Sequence, residues 1–558
     1  MTYYLKLRKN VALEGDVQLA SREIMHLFNK VCTVSIDEGD KIPPFVPNNR
    51  RFSNIREGEV IGFIASNPNV SAEKLVLYLS FIQEIWCQDV FFNQKTYSAK
   101  TCDTYCVIPV MAMSEYLTYV DKINELTTIE IANALAGTIP VSKHISNAIE
   151  RVNTSSPHVH SFHKYKAKFF PRFVRSLIVS NLDFHKEIQT ICDPYVGSGT
   201  TLIESALMGF DSFGYDIDPL SCFISETKAK AIGLKINDLA ISLPSICNGR
   251  INVQYTFPEE IKRKFSRWGA IDEMNQYEEE ISSELHLINN ETGFYKTLNQ
   301  IALSDALTRK FNVRMMGTGS GRFALEIGKT SLQSLIKGNM YSSIHALSVI
   351  SILKSCYGLI IKDAKVYKGN ATRRECADNS CDIIVTSPPY LPASSGREDY
   401  LVGKMISLKA LGLYGDKENI MNNSVGSMLS QASISLDDLP DSVAKLYNWL
   451  INDELRNIKA APIVAYYNSL RQSLMEDKRT IKEDGTIIYI IGKESVFYNN
   501  STKEILYKVE CDSIFKEIAE SIGLKIKEMV NIELDKKNAV ARPRSSDKYY
   551  ETAVIMTK

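Results

Sequence analysis

The segment IQTICDPYVGSGTTLIESALMGFDSFGYDIDPLS constrains this chain more than any other. An apolar run, IQTIC, leads into a Gly-rich turn, then a helix-forming stretch, then a second apolar run from Phe210 to Tyr215 closed by Asp216. Strand, turn, helix, strand is one βαβ unit, the building block of a sheet covered by helices on both faces. The turn itself reads Asp193-Pro194-Tyr195-Val196-Gly197-Ser198-Gly199-Thr200-Thr201. Its glycines let the backbone bend tightly and approach a ligand where a side chain would clash. A carboxylate closing the second strand can accept hydrogen bonds from both hydroxyls of a ribose. The unit therefore fits an adenosine-containing cofactor. The turn is G-S-G and not G-x-G-x-x-G, and no Gly-Lys-Ser/Thr follows, which excludes a P-loop and disfavours a dinucleotide fold. The bland alternative is a structural turn in a doubly wound domain, but turn, helix and acidic residue all fall in place together.

A second motif, Thr386-Ser387-Pro388-Pro389-Tyr390, follows the apolar strand CDIIV. Two prolines end the strand rigidly and fix the direction of the Ser387 and Pro388 carbonyls. An exocyclic amino group on a base is a poor nucleophile, because its lone pair is delocalised into the ring. Acceptors that hold its hydrogens out of plane localise that lone pair and stabilise the positive charge that develops on nitrogen. Tyr390 offers a face on which a base swung out of the stack can rest. On its own this would be an ordinary Pro-Pro turn; downstream of the first motif it reads as chemistry.

Together the two motifs resemble the amino-methyltransferase family that modifies DNA bases, whose cofactor loop has the form D-P-x-x-G-S-G-T and whose catalytic tetrapeptide is S/D/N-P-P-Y. The resemblance covers about 158–235 and 360–558. It implies a Rossmann-like α/β fold, the seven-stranded S-adenosylmethionine-dependent methyltransferase sheet, with S-adenosyl-L-methionine as cofactor and no metal. It also implies a set of roles. Asp193, Pro194, Gly197, Ser198, Gly199, Thr200, Thr201 and Asp216 would hold the cofactor, and Ser387, Pro388, Pro389 and Tyr390 would form the catalytic tetrapeptide. HSFHKYKAKFFPR looks like the family segment that encloses the methionine end, with Tyr165, Lys168 and Phe169 as its contacts. VYKGNA looks like the strand that meets the adenine. Asn370 stands there where the family commonly has Asp, and its amide keeps an acceptor oxygen for the adenine amino group.

Serine at the head of the tetrapeptide is typical of the N4-cytosine enzymes, whereas N6-adenine members more often have Asp or Asn. The implied activity is site-specific DNA methylation, at cytosine N4 first and adenine N6 second, on double-stranded DNA. A competing resemblance rests on the N-terminus, where YYLKL and an amphipathic helix look like the N-terminal module of tRNA guanine-N2 methyltransferases. That would make tRNA the partner. No covalent intermediate is needed in either case, so Cys192, in the strand before the loop, reads as core.

With 558 residues the chain is too long for one ordinary core. Residues 1–150 read as an N-terminal α/β domain with a possible part in nucleic-acid recognition, and 151–558 as the catalytic domain. RVNTSSP is the linker, and about 235–360 is a helical insertion. In the N-terminal part VQLASREIMHLF and AEKLVLYLSFIQEIW read as helices, and YYLKL and TYCVIPVMAM as strands. Pro171 to Leu182 reads as a helix. Basic and acidic residues balance at 65 each, so any nucleic-acid contact must be a local face. The absence of a leader-like segment or an apolar run of bilayer length predicts a cytoplasmic protein without membrane contact. Eleven scattered cysteines predict reduced thiols. Nothing in the residues reads out a restriction or defence partner.

Weaker signals remain. MGTGSGR, with Arg322, is either a surface loop or a phosphate contact. Basic clusters at Lys164–Arg175, Lys262–Arg267 and Lys536–Lys548, with Arg542 and Arg544, are either solvated faces or parts of a phosphate-tracking groove. Arg397, Glu398 and Tyr400 either begin a helix or fold over the base. His158, His160 and His163 suggest a metal by spacing, but no acidic partner is visible beside them, and that reading is rejected.

Overall fold

A computed structural model describes residues 1–9, 11, 14–48, 51, 59–88, 98–101, 104–120, 156–165, 168–186, 189–234, 253–315, 323–391, 398–427, 433–499, 501–502, 504–534 and 549–558. MGTGSGR, the cluster from Lys536 to Lys548, Arg397, and most of the linker lie outside these residues.

The chain opens on β1 (Thr2–Leu7), buried along almost its whole length, and α1 (Glu14–Leu27). There follow β2 (Phe28–Ser35), β3 (Val60–Pro68), α2 (Ala72–Tyr78), β4 (Ile82–Gln88), β5 (Ser98–Thr101), β6 (Thr104–Val107) and α3 (Val110–Val120). The six strands form one sheet in the order β2-β3-β1-β4-β6-β5. Two expectations are corrected here. The single helix expected over AEKLVLYLSFIQEIW ends at Leu79, and its second half is β4, which pairs with β1 through Tyr4–Trp86 and Leu5–Ile85. β4 is buried on both faces, Gln83 and Glu84 included, so its residues do not alternate and periodicity does not separate it from a buried helix. TYCVIPVMAM is likewise strand only as far as Val107. Pro109 has no N–H for a ladder, its carbonyl accepts from Met113, and helix follows.

Beyond the linker, a 3-10 turn (His158–Ser161) leads to α4 (Pro171–Val179), with proline at its first turn. Then come β7 (Thr190–Asp193), α5 (Thr200–Leu207), β8 (Asp211–Asp216) and α6 (Pro219–Gly233), the βαβ unit read from sequence. The insertion contains α7 (Glu259–Trp268), α8 (Ile271–Asn289), α9 (Gly293–Lys310), a hairpin of β9 (Phe311–Met315) and β10 (Phe323–Ile327), and α10 (Leu332–Tyr357). The α/β pattern resumes with β11 (Ala364–Lys368), β12 (Cys381–Thr386), α11 (Glu398–Ala410), α12 (Lys417–Asn423), α13 (Asp441–Ile451), α14 (Ala460–Thr480) and β13 (Ile481–Gly492). A second hairpin, β14 (Glu494–Tyr498) with β15 (Ile505–Glu510), precedes α15 (Cys511–Ser521), β16 (Lys525–Leu534) and β17 (Tyr549–Thr557).

The large sheet has seven strands in the order β11-β8-β7-β12-β13-β17-β16. Neighbours from β11 to β13 pair in parallel, and β17 runs antiparallel to both β13 and β16. This is the seven-stranded methyltransferase sheet expected from the motifs. The strand order reverses between β7 and β12, which lie side by side with Ile384 opposite Cys192. Ligands of doubly wound sheets bind at the carboxyl ends of strands flanking such a point. Cys192 is fully buried there, as expected of a core residue.

The N-terminal unit has its own sheet and a small buried cluster of its own around Tyr4, Ile61 and Trp86, while its larger core is shared. Leu19 and Ile24 of α1, Phe173 and Leu177 of α4, and Ile490, Val530 and Ile555 of the large sheet belong to one buried cluster. Ser176 on α4 donates to the Leu19 carbonyl at 3.1 Å, and Arg175 to the Leu77 carbonyl at 2.6 Å. The cysteines of the described residues are free thiols. No helix among those residues is long and apolar enough to cross a membrane.

Candidate active site

The Gly-rich turn leaves β7 and enters α5 with Gly197 at φ +53° and Gly199 at φ +82°, a region where only glycine is unstrained. Asp216, at the end of the neighbouring strand β8, organises the turn. Its Oδ2 accepts from the Gly197 N–H at 2.8 Å and its Oδ1 from the Asp218 N–H at 2.9 Å. Asp216 also lines an open cleft. Pro194, Tyr195, Ile217, Gly369, Asn370, Ala371, Asn423 and Val425 complete its wall.

The cleft brings Pro194, Asp216 and Asn370 together, but Asn370 is placed differently from the expectation. Its Oδ1 already accepts from both the N–H and the hydroxyl of Thr372, each at 3.0 Å. Both lone pairs of the oxygen are thereby occupied. An Asx turn at the end of the strand competes for the oxygen, because a short amide bonds its own backbone two residues on.

Other expected residues surround the turn. Ser198 is buried, and its carbonyl accepts from Lys228 at 2.8 Å. Thr200 and Thr201 are buried in the first turn of α5; the Thr200 hydroxyl reaches the Phe169 carbonyl at 3.4 Å and that of Thr201 the Val385 carbonyl at 3.4 Å. Tyr165 lies over the turn, since a side-chain carbon on Gly197 would sit 3.7 Å from its ring. Its hydroxyl meets Ser221 Oγ at 2.8 Å, and Lys404 from α11 stands 4.4 Å above its ring. Lys404 also donates to Asp218 at 2.5 Å. Burial alone would raise the Asp218 pKa, but the Lys404 charge holds it below the usual carboxylate range. Lys168 is directed elsewhere. Its ammonium bonds Ser156 Oγ at 2.5 Å and the His160 carbonyl at 2.8 Å, and burial lowers its pKa to about 8.

The tetrapeptide begins where β12 ends, beside this turn. Thr386, fully buried, donates to Asp193 Oδ1 at 2.6 Å. Burial raises the Asp193 pKa to about 6 against the hydroxyls of Thr386 and Thr201 and the Tyr195 N–H, which favour its charge. Pro388 is buried, while Ser387, Pro389 and Tyr390 are partly exposed. The Pro389 carbonyl accepts from the Tyr466 hydroxyl of α14 at 3.0 Å. Among the described residues no hydrogen bond engages the carbonyls of Ser387 and Pro388, the two whose direction the prolines fix. Tyr390 donates to Glu551 of β17 at 2.5 Å. Lys404, Asn423, Tyr466 and Glu551 carry no motif. Each is brought here by tertiary structure alone, whereas Thr386 heads the second motif.

The histidine cluster is a second correction. His158 and His160 do have an acidic partner, Glu204 of α5, with His160 Nε2 2.8 Å and His158 Nε2 3.7 Å from the same oxygen. The other oxygen is held by Arg175 at 2.7 and 2.9 Å. His163 turns instead to Ser304 of the insertion at 3.0 Å. All three imidazoles are buried, and burial first, with nearby cations, keeps their pKa values below the ordinary range. Arg175 already neutralises Glu204, and Lys228 and Lys168 add positive charge nearby, which is an ion-pair network and a poor setting for a dication. Sequence could not reveal it, since Glu204 lies 44 residues from His160.

No protein-family model matches the chain. Among curated proteins, Type II methyltransferase M.MvaI of Kocuria varians is 24% identical over 367 residues, 62% of this chain and 79% of that protein. M.BsoBI of Geobacillus stearothermophilus is 25% identical over 429 residues, 66% and 79% respectively. M.MjaII of Methanocaldococcus jannaschii is 42% identical over 71 residues, 13% of each chain. The chain resembles Type II methyltransferases. Solved structures similar to it include a SAM-dependent methyltransferase from Methanosarcina mazei (10% identity, 68% of this chain and 96% of that one, TM-score 0.25). TrmN from Thermus thermophilus is 8% identical over the full length of both, with a TM-score of 0.30. Likeness at that level is too slight to bear on function.

Proposed function

We propose that the chain is an S-adenosyl-L-methionine-dependent DNA methyltransferase acting on an exocyclic amino group, at cytosine N4 in a specific sequence. The observation that carries this reading is the Thr386–Asp193 hydrogen bond, which joins the tetrapeptide to the cofactor turn at the point where strand order reverses. The resemblance to Type II methyltransferases over most of the chain supports it.

The residues present fit the cofactor. Asp216 would accept from the ribose hydroxyls, and Gly197 and Gly199 leave the approach clear. The Asn370 NH2 would donate to an adenine ring nitrogen, and Tyr165 would close the methionine end. S-adenosylmethionine, when bound, supplies an activated methyl group on a sulfonium. The chain's own part is to present the nucleophile. The Ser387 and Pro388 carbonyls would accept from the amino group of the base and so restore its lone pair to nitrogen. Tyr390 would stack on the base, and serine at position 387 is the residue that favours cytosine over adenine.

Labelled S-adenosylmethionine offered separately with duplex DNA and total tRNA tests the reading. Label in duplex DNA alone supports it. Label confined to tRNA would overturn the choice of substrate and make the N-terminal unit an RNA-binding module, and no transfer to either would overturn the assignment as an enzyme of nucleic acid.

A further inference from the structure

Glu551 has no part in the motifs, yet it lies at the tetrapeptide. It is the third residue of β17, opposite Gly492 on β13 and Ile532 on β16. Because β17 alone runs against the sheet, its beginning stands at the carboxyl edge where the parallel strands end. The side chain is partly exposed there, and its Oε1 accepts the Tyr390 phenolic proton at 2.5 Å. A phenol held by an ionised carboxylate makes a charge-assisted bond, roughly twice as strong as a neutral one.

We propose that Glu551 is a positioning residue for the target base: by holding the Tyr390 hydroxyl it fixes the ring on which the base stacks, relative to the Ser387 and Pro388 carbonyls. This rests on the reading that Tyr390 stacks on a flipped base. A tyrosine has two side-chain torsions, and the prolines before it fix the backbone but leave both of them free. The hydrogen bond anchors the far end of the ring. An error of about 1 Å in the placement of a reacting group costs on the order of a hundredfold in rate.

The surroundings of Glu551 make its charge conditional. Its register partners Gly492 and Ile532, and the same-face neighbours Ile490, Val530 and Ala553, bring no charge. Lys493, beside Gly492, stands 5.4 Å from the Tyr550 ring. Burial raises the Glu551 pKa to about 7, opposed by the Tyr390 hydrogen bond. The charge-assisted bond is therefore present above neutrality and weakens as pH falls.

The test compares wild type with Glu551→Gln, Tyr390→Phe and the double variant, by single-turnover methyl transfer to duplex DNA and by S-adenosylmethionine affinity from pH 5.5 to 9. Glu551→Gln should lower the transfer rate by about ten- to a hundredfold and leave cofactor affinity within twofold. Tyr390→Phe should show the same loss, and the double variant no further loss. The wild-type rate should fall on the acid side with a midpoint near 7, and Glu551→Gln should lack that fall. Additive losses, or an acid limb unchanged in Glu551→Gln, would overturn the proposal. A wild type that transfers no methyl to nucleic acid would instead overturn the reading beneath it.

Discussion

The Thr386 hydroxyl donates to Asp193 Oδ1 at 2.6 Å, and through that bond the last residue of one strand fixes the first residue of the turn on the next. Both side chains are buried. Thr386→Val keeps the shape and removes the donor from a buried carboxylate. The expected cost is about 1–3 kcal/mol of unfolding free energy, with weakened S-adenosylmethionine binding. Denaturant unfolding and a cofactor titration check both; a variant as stable as wild type with unchanged affinity would show that the bond joins nothing of consequence.

Asp193 also predicts a pH signature. Burial lifts its folded pKa from 3.8 to about 6. Between those values the folded chain keeps a proton that the unfolded chain has lost. The stability associated with this site is therefore greatest below the unfolded pKa, declines as pH rises through the window, and is lost above about 6. A shift of this size is worth on the order of 3 kcal/mol. The buried histidines act in the opposite sense, since their lowered pKa values remove stability as pH falls below about 6.5. Subtracting the Asp193→Asn profile cancels them. Relative to that variant, wild type should lose stability between pH 4 and pH 7 in denaturant titrations, and a flat difference would contradict the assignment.

Cofactor binding and turnover should separate by residue. Asp216→Ala removes the acceptor at the end of β8 and should raise the S-adenosylmethionine Kd by about tenfold or more. Pro388→Ala loosens the carbonyls at the target amino group and should cost about a hundredfold in turnover with cofactor affinity retained. Calorimetric binding and steady-state rates for the two proteins distinguish these outcomes. A fully active Pro388→Ala would misplace the target amino group in this account.

Much of this site was legible because its motifs are local. Asp193 to Thr201 and Ser387 to Tyr390 each lie at one strand end, so residue type and order carry their geometry. The motif gave no sign that Thr372, two residues on, bonds the Asn370 oxygen. Glu551 and Tyr466 were invisible, since 161 residues separate Tyr390 from the first and 77 separate Pro389 from the second. In the fold, β4 was read as helix because its residues are buried on both faces and show no period. The packing of α1 against α4 across the linker was not legible either, since no local motif signals it.

The Glu204 network is structural in this account. Arg175→Met leaves a fully buried carboxylate with only histidine partners and should destabilise the fold by about 3–5 kcal/mol. Because Arg175 also bonds Leu77, the N-terminal unit should lose protection from hydrogen exchange along α2 in the same variant. Wild-type stability in that protein would contradict the role given to the pair.

The most direct test of the central claim is to identify the modified nucleoside. Duplex DNA treated with the full chain and S-adenosylmethionine is digested to nucleosides and resolved by mass, with Pro388→Ala treated alongside. The account predicts N4-methylcytosine from wild type and at most traces from the variant. N6-methyladenine would keep the reaction class and overturn the base. Methylation on carbon, or on no DNA base at all, would contradict the roles given to Ser387, Pro388 and Tyr390.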